Sequence, residues 1–178
     1  MRLRALLVVA LLALASAAGT GAAGVGTVAA PARSDAAANQ LEHLVLVELN
    51  SVRRTHGLPP LRASALLSAA AENHSRAMGR FGFFAHESRD GSPFHERVRQ
   101  FYGPKDERWS VGENLLWSTA GIAAKKAIDL WMRSPGHREN ILTPRWREIG
   151  LAAVSVAGAP GVFGGRDVVI VTTDFGVR

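Results

Sequence analysis

The most informative segment of the chain spans residues 131–142 and reads Trp131-Met132-Arg133-Ser134-Pro135-Gly136-His137-Arg138-Glu139-Asn140-Ile141-Leu142. Its Ser-Pro-Gly centre ends a helix, because proline and glycine both disfavour a helix interior. That helix is predicted to begin with Ser118 or Thr119 as its cap, and its apolar face reads Ile122, Ala127, Ile128 and Trp131. His137 directly follows the break, which places a titratable group at a turn, where clefts are commonly built.

The sequence before this segment predicts further helices. Residues 39–56 carry apolar side chains at helical spacing, and Gly57 is a natural end for that helix. A second amphipathic helix is predicted over residues 64–80, and a short third helix over residues 93–101. The first two thirds of the folded part are therefore predicted to be helical.

The sequence after this segment changes character and predicts strands. Apolar residues alternate over residues 149–155, and residues 168–173 form a run rich in β-branched side chains. The glycine-rich stretch 157–165 between them suits a hairpin connection. Helices followed by an antiparallel sheet indicate an α+β fold.

The N-terminus has the pattern of an export signal. Met-Arg-Leu-Arg is a short cationic start, and residues 5–18 are an unbroken run of Ala, Leu, Val and Ser with small-residue cleavage patterns after it. We predict a signal peptide over residues 1–30, with its cleavage site undecided, a flexible linker over 31–38 and the folded domain over 39–178. An uncleaved anchor is the alternative, and in either case the domain lies outside the cytoplasm, secreted or at the cell envelope.

Composition limits the class of protein. The chain has 178 residues, 47% of them apolar, which suits one domain with a real core. Its formal charge of +6 falls to 6 − 2 = +4 if residues 1–30, with two arginines and no acids, are removed. The arginines are scattered, so nucleic acid is not expected as a partner, whereas anionic envelope polymers and lipid head groups are. The absence of cysteine excludes thiolate metal sites and cysteine nucleophiles.

Three short segments carry candidate chemistry, each with one titratable side chain at a predicted turn: residues 83–86, 111–115 and 134–138, with His86, Glu113 and His137. Neutral imidazoles are good ligands for zinc, and a carboxylate can complete or support such a site. From spacing alone, three unrelated hydrogen-bonded residues are the favoured interpretation.

Two other histidines have simpler interpretations. His74 shares the apolar face of its helix and is predicted to be a hydrogen-bonded core residue. His95 lies on a polar, exposed helical turn.

An ordered set of motifs resembles the CAP superfamily of cysteine-rich secretory, antigen 5 and pathogenesis-related proteins, bacterial branch. The resemblance covers about residues 41–176, and its motifs are Leu49-Asn50-x-x-Arg53, Gly57-Leu58-x-x-Leu61, His86, Gly112-Glu113-Asn114-Leu115, Trp131-Met132-x-Ser134-Pro135-Gly136-His137-Arg138-x-Asn140-Ile141-Leu142, Glu148-Ile149-Gly150 and Thr173-Asp174-Phe175-Gly176.

The resemblance implies a three-layer α-β-α sandwich with a central antiparallel sheet. It also implies a cleft with a His, Glu, Glu, His tetrad, in which His86, Glu113 and His137 match three members. The fourth, a glutamate shortly after the helix tryptophan, has no counterpart, since Trp131 is followed by Met-Arg-Ser. Its absence weakens a mechanism that needs two carboxylates.

Two functions follow as expectations. The first is a binding module for lipid, another small apolar ligand, an envelope polymer or a protein, with Zn²⁺ or a similar ion held by His86 and His137, supported by Asn114 and Arg138, and with no organic cofactor. The second is a metal-dependent, peptidase-like hydrolase with Glu113 as general base. The shortage of catalytic groups favours the binding module over an enzyme.

Overall fold

The computed structural model describes residues 31–105, 109–119 and 121–178 of the chain, with side chains from residue 36 onward. Within these ranges the helices and strands are, in chain order, α1 (Pro31–Thr55), β1 (Arg62–Ala63), α2 (Ala65–Phe81), α3 (Phe94–Phe101), β2 (Ser110–Ser118), α4 (Ala124–Arg133), α5 (Pro135–Leu142), β3 (Glu148–Ala159) and β4 (Arg166–Val177). No helix in this described part of the chain has an apolar run long enough to cross a bilayer.

The helices α2 and α3 and the hairpin of β3 and β4 lie within a few residues of their predicted positions. Helix α1 includes residues 31–38, so these residues are helical rather than the flexible linker that the sequence predicts. The segment is rich in alanine, the best helix former. The predicted signal peptide lies outside the described residues.

Helix α4 begins later than the sequence indicates. Its N-terminal cap is Ala123, whereas Ser118 is the last residue of β2 and its hydroxyl donates to the Gly121 carbonyl at 2.9 Å. The predicted capping role of Ser118 or Thr119 is therefore wrong. Serine hydroxyls stabilise turns as well as helix ends, and the Ser118 hydroxyl stabilises the turn that follows β2.

The sheet has the order β1-β3-β4-β2. Strand β4 pairs with both β2 and β3 in antiparallel fashion, while the two residues of β1 pair with β3 in parallel. The sheet is thus mixed rather than wholly antiparallel. Strand β2 also corrects the expectation that residues 111–115 form a turn.

Each face of the sheet is covered by helices, which confirms the three-layer α+β architecture. Helices α1, α4 and α5 cover one face and form a core with Leu116, Val171 and Phe175. Helices α2 and α3 cover the other face, where the buried strand residues include Leu115 and Ile170. Because side chains alternate along a strand, Glu113 and Asp174 belong to this second face, which we call the α2/α3 face.

Candidate functional site

His86 lies on the loop that follows α2. The helix ends at Gly82 in the left-handed conformation, and the chain then turns back so that His74, buried in α2, donates from Nε2 to the Ala85 carbonyl at 2.8 Å. His74 is therefore a hydrogen-bonded core residue that ties the His86 loop to the helix. The His86 side chain is 37% exposed, which gives it access to solvent.

Glu113 lies behind His86 on β2, with its side chain fully buried. His86 Nδ1 donates to Glu113 Oε1 at 2.8 Å, and Arg97 from α3 donates to Glu113 Oε2. Burial alone would raise the pKa of Glu113, but the hydrogen bond from His86 and the charge of Arg97 outweigh it and hold the pKa below its usual value. The carboxylate therefore stays charged, and its bond to Nδ1 leaves Nε2 of His86 for another ligand.

Arg97 binds the loop as well as the carboxylate. Its guanidinium donates to the His86 carbonyl at 3.1 Å and to Ser88 Oγ at 3.3 Å, and its side chain is 6% exposed. One buried cation thus fixes both ends of the contact between His86 and Glu113. In the sequence, Arg97 is one of many scattered arginines, and only its position on the inner side of a short amphipathic helix distinguishes it.

His137 lies in the first turn of α5, which amide side chains join to β2. Asn114 Nδ2 donates to the His137 carbonyl at 3.0 Å, and Asn140 Nδ2 donates to the Glu113 carbonyl at 3.0 Å and to Asn114 Oδ1 at 2.9 Å. These bonds fix His137 relative to the strand that carries Glu113. Asn114 is fully buried, so the support it gives is to the backbone.

Burial, and then the charge of His86, lower the pKa of the half-buried His137 imidazole to about 4. His137 is therefore neutral near pH 7, which is the form that binds metals. Arg138 is exposed, and its side chain makes no hydrogen bond to the described residues.

The described residues contain no group of three or more His, Asp or Glu side chains arranged to hold a metal ion. The chemistry available is a pair of imidazoles, one oriented by a buried carboxylate. Metal-binding histidines commonly donate their second ring nitrogen to a carboxylate in this way. Imidazole nitrogens are a donor type that zinc prefers, and two protein ligands would leave open positions for water or a ligand.

Asp174 on β4 also belongs to this cluster. It pairs directly with Glu113 across the ladder between β2 and β4, and it is fully buried. In the sequence it stands within a family motif and has no assigned role. An acid directly after the β-branched run of residues 168–173 is the signal that distinguishes it.

A separate cavity of about 470 Å³ lies between α1 and α2, along the part of β3 that β1 leaves uncovered. Its lining includes Glu42, Glu72 and Arg76. Glu42 accepts a hydrogen bond from the Ala153 N–H at 2.8 Å, so it occupies a backbone donor of the sheet edge. The charged lining gives no support for an apolar ligand in this cavity.

The lowered pKa of His137 predicts acid sensitivity of the metal-free protein. Because the ordinary pKa of histidine, 6.5, falls to about 4 on folding, the unfolded chain binds the proton more readily. The stability that neutral His137 contributes is present above pH 6.5 and is lost as the pH falls toward 4. His137→Gln should therefore lose less stability than the wild type between about pH 7 and about pH 4.5, measured by urea denaturation with a chelator present. His95→Gln, an exposed control, should follow the wild type, and equal losses for His137→Gln and the wild type would contradict the assignment.

Comparisons with known proteins agree with this fold. The model of the family described as CAP, cysteine-rich secretory protein family, matches residues 46–172. The uncharacterized protein YkwD of Bacillus subtilis is 34% identical over 111 residues, which cover 61% of this chain and 41% of YkwD.

Two solved structures share the architecture. An extracellular protein containing an SCP domain, from Bacillus anthracis, superposes with a TM-score of 0.66 at 22% identity, covering 88% of this chain and 45% of that chain. NaASP2, crystallised with Zn²⁺, superposes with a TM-score of 0.50 at 13% identity, covering 76% and 78%. At these identities the likeness establishes the fold alone.

The chain spans less than half the length of YkwD and of the B. anthracis protein. Because the family match runs from the second half of α1 into β4, the chain belongs to the CAP family, although it contains no cysteine.

Proposed function

We propose that this CAP domain is a binding module that holds a divalent metal ion, Zn²⁺ foremost, between His86 and His137. The observation that carries the proposal is the 2.8 Å hydrogen bond from His86 Nδ1 to the buried Glu113, which leaves Nε2 as the metal-binding nitrogen. The neutral state of His137 supports it, since metal binding there needs no proton to be released. The related fold of NaASP2 was crystallised with Zn²⁺, which adds support from a distant relative.

The geometry favours binding over hydrolysis. Glu113 has no exposed side-chain surface, and His86 and Arg97 bind its two oxygens. A general base must reach the water that it deprotonates, and Glu113 lies behind His86 rather than beside the cleft. Glu113 therefore acts as the carboxylate that orients His86, and the hydrolase that depends on it as base loses its support. A bound ion with two protein ligands would offer open positions to an anionic or carbonyl group of a partner.

We also propose that the domain lies outside the cytoplasm. The cationic start and the apolar run of residues 5–18 support this location, and the family description agrees with secretion. The excess of arginine suits anionic envelope polymers, lipid head groups or an acidic protein as partners. Mass spectrometry of the protein purified from a culture medium or envelope fraction tests the export step: an N-terminus between residues 18 and 31 is expected, and recovery only in the cytoplasm would contradict it.

Calorimetric titration with Zn²⁺ tests the metal site. We expect saturable binding of one ion, an affinity at least about tenfold lower in His86→Ala and in His137→Ala, and no measurable site binding in the double variant. His95→Ala is the matched control, because that histidine is exposed and lies on the adjacent α3. Circular dichroism confirms that each variant is folded. A double variant that binds Zn²⁺ as the wild type does would refute the proposal.

A further inference from the structure

Asp174 is a buried acid that the proposed metal site does not use. Its side chain is fully buried, and neither carboxyl oxygen accepts a hydrogen bond from an N–H or O–H group of the described residues. It lies directly opposite Glu113 in the antiparallel ladder, so the two carboxyl groups share the α2/α3 face. An ionised carboxylate without partners in such a place is very unfavourable.

The surroundings explain why water does not reach Asp174. Its other ladder neighbour is Gly150 on β3, against which α2 packs so closely that an added Cβ would lie 2.0 Å from the Leu67 carbonyl carbon. Helix α2 therefore covers the sheet at this point with its backbone.

The charged groups that act on Asp174 are Glu113 from β2 and Arg97 from α3, and Glu113 in turn interacts with His86 and His74. The one cation among them that is always charged, Arg97, donates to Glu113. A single arginine beside two buried carboxyl groups balances one negative charge, so the second group is favoured in its neutral form. Burial, and then the charge of Glu113, raise the pKa of Asp174 well above its usual value, while Arg97 opposes them.

Directly opposite residues of an antiparallel pair have Cβ atoms about 4.5–5.5 Å apart, so the ladder brings the carboxyl groups of Asp174 and Glu113 within reach of each other. Two ionised carboxylates have no proton to share, so a bond between them requires that one be protonated. Glu113 is the better acceptor, because His86 and Arg97 stabilise its charge. Each of its oxygens has a second lone pair for an additional donor.

We propose that Asp174 keeps its proton at neutral pH and donates it to Glu113 in a hydrogen bond, as a positioning residue that holds Glu113 against His86. Protonation of Asp174 is independent of any ligand. The consequence for Zn²⁺ affinity rests on the proposed function, because it acts through His86. Asp174 does not touch the cleft.

Infrared difference spectroscopy of the full chain tests the protonation directly. The metal-free wild type at about pH 7 should show the C=O stretch of a protonated carboxylic acid, and this band should be missing from Asp174→Asn, which keeps the shape and an N–H donor. A wild-type spectrum with no such band would overturn the inference. So would a carboxylate band lost in Asp174→Asn, which would show an ionised Asp174, paired for example with the buried Nε of Arg97.

The positioning role is tested by the ring tautomer of His86 and by Zn²⁺ titration. Nitrogen NMR should show Nδ1 protonated in the wild type and in Asp174→Asn, and a mixture of tautomers in Asp174→Ala. Zn²⁺ affinity should fall about tenfold in Asp174→Ala and change less than about threefold in Asp174→Asn. If Asp174→Ala has the same His86 tautomer and the same Zn²⁺ affinity as the wild type, Asp174 does not position Glu113. If Asp174→Ala does not fold, the wild-type spectrum and Asp174→Asn still decide the protonation. If neither the wild type nor any variant binds Zn²⁺ while the acid band is present, the proposed metal site is wrong and the protonation of Asp174 is confirmed.

Discussion

Replacing Gly150 with valine is expected to lower the free energy of unfolding by at least about 3 kcal/mol, or to prevent folding. A Cβ at this position would lie 2.0 Å from the Leu67 carbonyl carbon and 2.2 Å from the Ser68 nitrogen. Both are backbone atoms of α2, so rotation of a side chain cannot relieve the clash, and the helix has to move away from the sheet. Since α2 carries His74, which holds the His86 loop, the site should be lost with the packing.

Gly136→Ala is the matched control for Gly150→Val. An added Cβ at Gly136 meets nothing within 4 Å, and the residue lies in α5, so alanine should be neutral or stabilising by up to about 1 kcal/mol. Urea denaturation followed by circular dichroism measures both. A Gly150→Val variant within about 1 kcal/mol of the wild type would show that α2 does not pack on the sheet as described.

Replacing Arg97 with methionine should destabilise the protein by about 3–5 kcal/mol, because removing one partner of a buried ion pair leaves the other charge uncompensated. Methionine is close to arginine in length, so the loss reports mainly the charge and the hydrogen bonds to Glu113, the His86 carbonyl and Ser88. The loop that carries His86 should also become more mobile, with faster amide hydrogen exchange over residues 84–88.

Arg76→Met is the control for Arg97→Met. Arg76 pairs with Glu72 on the surface of α2, where its side chain is 65% exposed, and such pairs contribute less than about 1 kcal/mol. Equal losses of stability in the two variants, measured by urea denaturation, would mean that the pair of Arg97 with Glu113 is not buried as the structure shows.

Local patterns predicted much of the fold. Helices α2 and α3 have a clear apolar face, and the hairpin of β3 and β4 has alternating or β-branched strands around a glycine-rich loop. A short stretch of sequence was therefore enough to predict each of these elements. Strand β2 was missed because both of its faces are buried, which removes the alternation of polar and apolar residues. Its Gly112, Glu113 and Asn114 are also weak strand formers, and their partners lie on β4.

The candidate site shows the same division between local and distant information. His86, Glu113 and His137 were indicated first by their positions at predicted turns and then by the family motifs, and Glu113 lies behind His86 rather than beside it. Arg97 could not be found in this way, because its partner is on another element and no pattern joins them. Asp174 meets Glu113 only through the register of β2 with β4, which no local sequence pattern predicts.

The proposed site has His86 and His137 as ligands of one metal ion, while Glu113 remains behind His86. Anomalous diffraction at the zinc absorption edge, from crystals of the purified protein soaked in Zn²⁺, locates the ion. We expect an anomalous peak about 2.0–2.1 Å from one ring nitrogen of each histidine, with Nε2 as the nitrogen used by His86 and with the bond from Nδ1 to Glu113 intact. An anomalous map with no peak between the two histidines, or a zinc ion bound to Glu113 in place of His86, would contradict it.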